Sequence, residues 1–478
     1  MREFTIDTIA AVSTAVSESG IGIIRISGPD SFIIADRVWH SPGGRTHPQD
    51  VPTHTIHYGY IKDGDEVIDE VLLSVMRSPR TYTAEDTVEI NCHGGILAVR
   101  RVLEAVVKAG ARPAEPGEFT KRAFLNGRID LSEAEAVMDV IQARNDYALK
   151  NSISQVRGSV FRKIGELREQ MLYQTAHIEA ALDDPENLSF DTYRNSLRSD
   201  TERWISEISL LLESADSGRF IREGIRTVIV GKPNAGKSSL LNLLLGEERA
   251  IVTEIAGTTR DVLTETVNLQ GITLVITDTA GIHDTDDPVE KIGVERAKKS
   301  LEEADLLLYL IDASTPLDED DRQIFELLRG RKSVVLQNKT DLDTVTDISS
   351  IRKFLGTGTK QYPEKGDSDS NASIQIIPFS ATEKTGYDEL VCVLKKMFYH
   401  GEIDFNDEIV ITNTRHKVLL QNALESLNKL RESEENQMPE DFFTIDLMSA
   451  YDALGEIIGE QAGEDLVNEI FSRFCMGK

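Results

Sequence analysis

The chain has 478 residues, enough for about three domains of ordinary size, each with its own hydrophobic core. Apolar residues make up 40% and charged residues 28%, which excludes a fibrous or wholly disordered protein. The 52 Lys and Arg face 81 Asp and Glu, and a net charge of −29 argues against coating nucleic acid or an anionic membrane through bulk charge. A small basic site or a basic partner stays compatible with that balance. The three cysteines, Cys92, Cys392 and Cys475, suit neither a disulfide framework nor a zinc site, and fit a reducing cytoplasm. The N-terminal stretch carries Asp7 and lacks a long apolar core behind basic residues, so a secretory leader is not expected. No run approaches the roughly 20 apolar residues that span a bilayer. A soluble cytoplasmic protein is expected.

Residues 1–125 mix short strand-like runs with turn residues, as in GIGIIRISG, EVLLSVM and DTVEINCHGG. One clear helix follows, ILAVRRVLEAVVKAG, stopped at Gly110. An α+β domain is predicted here. Residues 126–222 read as long helices, with Ser132 and Glu135 as a capping box. Ile164, Leu167, Met171, Ile178 and Leu182 keep helical spacing up to Pro185.

Residues 223–398 alternate apolar runs (IRTVIV, ITLVITD, ADLLLYLIDA, SVVLQN, IQIIPFS) with helical patterns, which predicts a mostly parallel sheet covered by helices. Within it EKGDSDSNAS, around Asp367, reads as a mobile polar loop. Helices return over 399–478, carried by Val418, Leu427 and Leu430, then Leu447, Tyr451 and Leu454, then Leu466, Ile470 and Phe474. Helices on both sides of an α/β unit predict a unit inserted into one helical domain, with Gly218 and Gly224 near a crossing point. The fold class is therefore a multidomain α/β chain.

The chemistry concentrates in Gly231-Lys-Pro-Asn234-Ala235-Gly236-Lys237-Ser238-Ser239, between the strand RTVIV and the helix SSLLNLLLG. A phosphate chain needs glycines there, so that backbone N–H groups turn inward and the loop comes close. Lys237 neutralises β/γ oxygens and the Ser238 hydroxyl suits a magnesium ion. Asp278-Thr-Ala-Gly281 ends the strand ITLVITD: Asp278 suits the magnesium shell, and the Gly281 N–H meets a γ-phosphate. Asn338-Lys339-Thr-Asp341 follows SVVLQ, and Ser380-Ala381-Thr382 follows IQIIPF. The Asp341 carboxylate accepts both donors on a guanine edge, a pattern adenine lacks. Each motif alone is an ordinary strand-end turn; in this order they specify a GTP site, with Mg2+. Directly after Gly281, where Ras-like enzymes carry a water-orienting Gln, stands the apolar Ile282, with Asp284, Asp286, Asp287 and Glu290 nearby.

GKPNAGKSSLLNLLL, AIVTEIAGTTRD and DTAGIHDTDDPVEKIGVERA together resemble the G domain of the MnmE (TrmE) family, bacterial tRNA-modification GTPases. AEDTVEINCHGG, PGEFTKRAFLNGRIDLSEAEA and the terminal Phe474-Cys475-Met476-Gly477-Lys478 are similar to that family too, so the resemblance spans the chain. It implies four segments: an N-terminal folate-binding and dimerisation domain (1–125), a helical domain in two parts (126–222 and 399–478) and a Ras-like P-loop G domain (223–398).

The resemblance also implies a K+ ion beside the phosphates, held by Asn234 and a loop running from Thr253 through the Ile255 carbonyl to Thr258. Thr259 would be a second magnesium ligand and Glu290 the water-orienting acid. Folate contacts map onto Arg25, Glu89, Arg128 and Lys478, with a 5-formyl- or methylene-tetrahydrofolate as donor. Arg128 stands where family members carry Lys. Arg25 interrupts an apolar strand, and a buried guanidinium there needs a partner or an anionic ligand. Cys475 reads as a small apolar residue near the end of a packed helix.

The implied activity is potassium-dependent GTP hydrolysis by a homodimer. It acts with the FAD protein MnmG (GidA), in a heterotetramer or larger complex, on C5 of the tRNA wobble uridine. Two other classes compete. A regulatory switch GTPase of ribosome assembly or RNA handling would usually add a KH or RRM pattern, which this chain lacks. A helical scaffold with an idle G domain would show equal, negligible turnover in KCl and NaCl.

Overall fold

The computed structural model describes residues 7–184, 190–247, 264–277, 301–355, 374–399 and 409–478. The chain divides into two compact units. One comprises residues 1–141, 153–198 and 425–478, and the other residues 142–152 and 199–424. The first unit thus takes chain from both sides of the second.

The first unit holds a seven-stranded sheet in the order β3-β4-β5-β6-β2-β1-β7. Its strands are β1 (Ile9–Val12), β2 (Ser19–Ser27), β3 (Trp39–His40), β4 (Thr55–Asp63), β5 (Glu66–Met76), β6 (Thr87–Gly94) and β7 (Arg112–Pro113). Period-two alternation decides its faces: Ile24 and Ile26 of β2 are fully buried, and Arg25 points to the opposite side. On β6, Glu89 lies directly across from Arg25. Helices α1 (Ser31–Val38) and α2 (Ile96–Lys108) cover the apolar face through Ile34, Ala35, Val102 and Val106. After β7, α3 (Glu118–Leu125) leads to α4 (Leu131–Gln142).

The cap of α4 differs from the expectation. Asp130, not Ser132, accepts the N–H groups of Ser132 and Glu133, and Glu133 accepts the Asp130 N–H at 3.0 Å. The reciprocal pair therefore sits two residues earlier, because Leu131 is buried and already helical. α5 (Asp146–Val156) precedes the long α6 (Ser159–Asp183). Ile164, Leu167, Met171 and Ile178 are buried on α6, but Leu182 is exposed in its last turn.

α7 (Phe190–Glu223) runs straight through Gly218 and ends at Gly224, whose φ of +80° only glycine adopts without strain. Gly218 is therefore no breakpoint; a Cβ there would meet the backbone of Ile411 and Thr412. At the other end of the chain come α12 (Thr414–Glu435), α13 (Glu440–Ile458) and α14 (Glu464–Ser472). Val418 is exposed, and Val467 and Phe471 rather than Leu466 and Ile470 make the buried stripe of α14.

Arg168 of α6 ties that helix to α13: its guanidinium lies 4.0 Å from the Tyr451 ring and reaches Glu460 at 2.5 Å. Val467, Phe471 and Phe474 pack with Leu131 and Met138. The last residues then cross to the sheet, where Ser13 Oγ donates to the Gly477 carbonyl at 3.1 Å. That crossing carries Lys478 toward Arg25.

The second unit is built on a six-stranded sheet in the order β13-β12-β11-β8-β10-β9. These are β8 (Ile225–Gly231), β9 (Thr264–Leu269), β10 (Ile272–Thr277), β11 (Leu306–Asp312), β12 (Ser333–Asn338) and β13 (Gln375–Pro378). All neighbours are parallel except β9 and β10, a hairpin. β11 (LLLYLID) and β12 (SVVLQN) are buried almost throughout because helices cover both faces, the mark of a central parallel strand. The flanking helices include α8 (Lys237–Glu247), α9 (Glu319–Leu328), α10 (Ile348–Phe354) and α11 (Tyr387–Tyr399). Asn145 joins this unit, donating to Thr273 of β10 at 2.7 Å.

Candidate functional site

The carboxyl ends of β8, β11 and β12 lie side by side, the place where parallel sheets bind ligands. β8 ends in Gly231, and a Cβ there would come within 2.8 Å of the Leu310 carbonyl on β11. The loop that follows turns through Asn234 (φ 64°) and Gly236 (φ 103°) into α8. Lys237 and Ser238 open α8, where unpaired N–H groups and the helix dipole favour an anion. Lys237 Nζ donates to the carbonyls of Gly231 (2.6 Å) and Lys232 (2.9 Å), so its ammonium sits inside the loop. Ser238, Ser239 and Asn234 are exposed.

Asn338 locks the loop after β12 to the loop after β8. Its Nδ2 donates to the Ala235 carbonyl at 2.8 Å, and its Oδ1 accepts the Ala381 N–H at 3.1 Å. A Cβ on Gly236 would overlap Asn338, so glycine is needed for packing as well as for its φ. Asp341 accepts the hydroxyl of the fully buried Ser380 at 2.6 Å, which holds the carboxylate. Lys339, itself left-handed at φ 64°, reaches Asp312 at the end of β11 with an Nζ–Oδ2 distance of 2.6 Å. Burial works to raise the Asp312 pKa, but hydrogen bonds from Lys339 and Ser314 outweigh it and hold the carboxyl below its ordinary range. The structure thus brings together Asn234, Ala235, Gly236, Lys237, Ser238, Asn338, Lys339, Asp341, Ser380 and Ala381. Thr253, Ile255, Thr258, Thr259, Asp278, Gly281 and Glu290, like the polar segment around Asp367, lie outside the described residues.

A second constellation forms around Tyr82 in the first unit. The guanidinium carbons of Arg128 and Arg25 lie 5.1 and 5.2 Å from the ring centroid, and Lys478 Nζ lies 5.8 Å from it. Arg25 Nε donates to Glu89 Oε1 at 2.8 Å, while its Nη1 is buried without a hydrogen-bond partner among the described residues. Burial and the nearby Arg25 depress the Lys478 amine pKa, and Glu89 restores part of it. Arg25, Arg128 and Lys478 thus gather on one ring, with Glu89 bonded to Arg25. Stranding a buried guanidinium nitrogen is costly, so this pocket is chemically matched to an anionic ligand. Cys475 lies beyond the end of α14 and its thiol is exposed, so it is not the packed apolar residue expected from the sequence.

Residues 8–128 match the family described as GTP-binding protein TrmE N-terminus, and residues 131–475 match the MnmE helical domain. This chain belongs to the MnmE family. A curated relative from Lachnoclostridium phytofermentans, named tRNA modification GTPase MnmE, is 54% identical, covering 99% of this chain and 99% of its own. Proteins of the same name from Alkaliphilus metalliredigens and Clostridioides difficile are each 46% identical, covering 99% of this chain and 100% of their own.

Sequence reasoning missed several members of both sites. Asp312 is the polar end of the run LLLYLID, a position resembling Asp278 after ITLVIT, and that parallel was a usable signal. Tyr82, set between Thr81 and Thr83, offered none. The Ser238 hydroxyl at the head of α8 and the Asn234 amide in the loop before it are both exposed, so oxygens suited to a metal ion are accessible there. Among the described residues no group of His, Cys, Asp and Glu could hold an ion without a nucleotide.

Proposed function

We propose that the chain hydrolyses GTP and couples that hydrolysis to modification of tRNA. The observation that carries this reading is the junction made by Asn338, which bonds the P-loop on one side and the Ser380–Ala381 loop on the other. It sets a guanine-reading carboxylate, Asp341, at a fixed span from a phosphate-reading lysine, Lys237. Lys237 binds β/γ oxygens, Asp341 takes the two guanine donors, and Ser380 keeps that carboxylate oriented. Mg2+ would be held by Ser238 and Thr259, and K+ by Asn234, Thr253, Ile255 and Thr258. A fixed monovalent cation there supplies positive charge against the transferring phosphoryl, in place of an arginine or of the Gln that Ile282 replaces. Glu290 orients the attacking water. The domain limits 1–125, 126–222, 223–398 and 399–478 belong to the same proposal.

The pocket around Tyr82 is assigned a tetrahydrofolate one-carbon donor, with Arg25, Arg128 and Lys478 meeting its carboxylates and Glu89 a ring donor. With the FAD protein MnmG as partner, the product is a (carboxymethyl)aminomethyl group on C5 of the wobble uridine. A homodimer through the N-terminal sheet is supported by exposed apolar side chains on its β4–β5 face. Ile56, Tyr58 and Leu72 are 66%, 43% and 47% exposed, and Tyr58 and Leu72 are paired neighbours. MnmG is the source assigned to most of the basic surface for tRNA, given the charge of −29. No helix among the described residues is long and apolar enough to cross a membrane, in keeping with work in the cytoplasm.

The test is reconstitution with MnmG, tRNA, GTP and a folate in KCl or NaCl, reading the base by mass spectrometry. Modified uridine and faster GTP turnover in KCl are expected. Unmodified uridine removes the substrate assignment, and equal turnover in the two salts removes the potassium assignment.

A further inference from the structure

Three elements converge on one carboxylate behind the P-loop. Asp321, in the first turn of α9, is fully buried. It accepts the Tyr309 hydroxyl from β11 at 2.5 Å, the Asp318 N–H at 2.8 Å and the Lys232 ammonium at 2.8 Å. Lys232 also reaches Asp318, the cap of α9, at 2.9 Å. Desolvation opposes the charge on Lys232, yet the two carboxylates hold its pKa above the ordinary lysine value. A buried ion pair of this kind adds little net stability compared with apolar packing, so its value lies in fixing a geometry.

The geometry it fixes is that of the loop. Lys232 is the second residue of the P-loop, immediately after β8. Its side chain leaves the loop outward to Asp321, while its carbonyl faces inward and accepts Lys237 Nζ at 2.9 Å. A continuous path therefore runs from the Tyr309 hydroxyl through the Asp321 carboxylate and Lys232 to the phosphate-binding ammonium. The residues after Lys232 include Asn234 in a left-handed conformation, and a loop holding that turn needs its base fixed.

We infer that Asp321 and Lys232 are positioning residues for phosphate recognition: their ion pair anchors the first turn of the P-loop and sets the place of the Lys237 ammonium. Neither touches nucleotide. The inference rests on the GTP-site reading above. It predicts a loss confined to the phosphate part of the ligand, because Asp341 is held by Ser380 and Lys339 by Asp312, contacts that involve neither Lys232 nor Asp321.

The experiment compares GDP and guanosine binding by calorimetry to the full chain as wild type, Lys232→Met, Lys232→Arg and Asp321→Asn. Thermal unfolding is followed alongside. Lys232→Met should weaken GDP binding by about tenfold, the scale of losing charge-assisted bonds in the loop, while guanosine binding stays within about twofold. Lys232→Arg should recover most of the loss. Asp321→Asn keeps the shape and the P-loop sequence while removing the charge, and should repeat the pattern even if Lys232→Met folds poorly. Unchanged GDP binding in Lys232→Met or in Asp321→Asn overturns the inference, and so does an equal loss for GDP and guanosine. Failure of the wild type to bind GDP at all would instead remove the nucleotide-site reading itself.

Discussion

In the cleft proposed for the nucleotide, most polar groups come from runs of consecutive residues, 231–239, 338–341 and 380–381, each at the end of a parallel strand. In the pocket around Tyr82 they come from positions 25, 89, 128 and 478, from two strands, a loop and the terminal residue. The cleft presents backbone N–H groups and ammoniums already bonded to the protein, Lys237 to its own loop and Lys339 to Asp312. The pocket presents side-chain cations held close together, one of them with a buried unpartnered nitrogen. A site made from backbone is specified by glycines and φ angles over a few residues, and tolerates long insertions elsewhere. A site made from distant side chains exists only when the whole unit has folded, with Gly477 against Val12 and Gly117 against Phe471 and Phe474.

The contrast can be broken in either region separately. The largest effect is expected from Lys237→Ala, which should lower GTP turnover by on the order of 10²–10³, as for other removals of a preorganised charge donor. A phosphate-release assay measures it, and folate binding should not change. Asp341→Asn should come next, weakening GDP binding by about 100-fold or more. An amide donor then faces the guanine amino group, whereas the carbonyl of a xanthine nucleotide would accept it. Calorimetry with GDP and xanthosine diphosphate should show the preference reversed.

Arg25→Ala should weaken binding of a tetrahydrofolate by about 10-fold to 100-fold through loss of charge-assisted bonds, measured by ligand fluorescence. GTP turnover should be untouched. The smallest effect concerns pH. Burial and Arg25 place the Lys478 amine below the ordinary lysine range. An anionic ligand favours the protonated amine, so affinity is full below that depressed pKa and falls as pH rises through it. Wild type should show this alkaline fall, and Lys478→Met should bind more weakly without it.

The difference between the regions also explains what was legible beforehand. The P-loop, Asn338 and Asp341 could be named because their backbone chemistry demands those residue types at that spacing. The parallel sheet was legible because β11 and β12 carry apolar runs that only covered strands tolerate. Edges of amphipathic stripes were not: Leu182 and Val418 fit the helical period yet face solvent, since periodicity gives a face but not how far the neighbouring helix extends. Ser132 and Glu135 match the capping pattern, but the burial of Leu131 starts the helix earlier and hands the cap to Asp130. The partners of Asp321 and Asp312 were hidden for a further reason. Each acts through a lysine on another strand end, and strand order is a property of the sheet, not of either segment.

That both regions serve one reaction is tested most directly by tRNA from cells whose only copy of this chain carries Arg25→Ala. Wobble uridine is read by mass spectrometry, and GTP turnover of the purified variant is measured beside it. Unmodified uridine together with wild-type turnover is expected. Fully modified uridine at that turnover would contradict it, because the pocket around Tyr82 would then have no part in the chemistry.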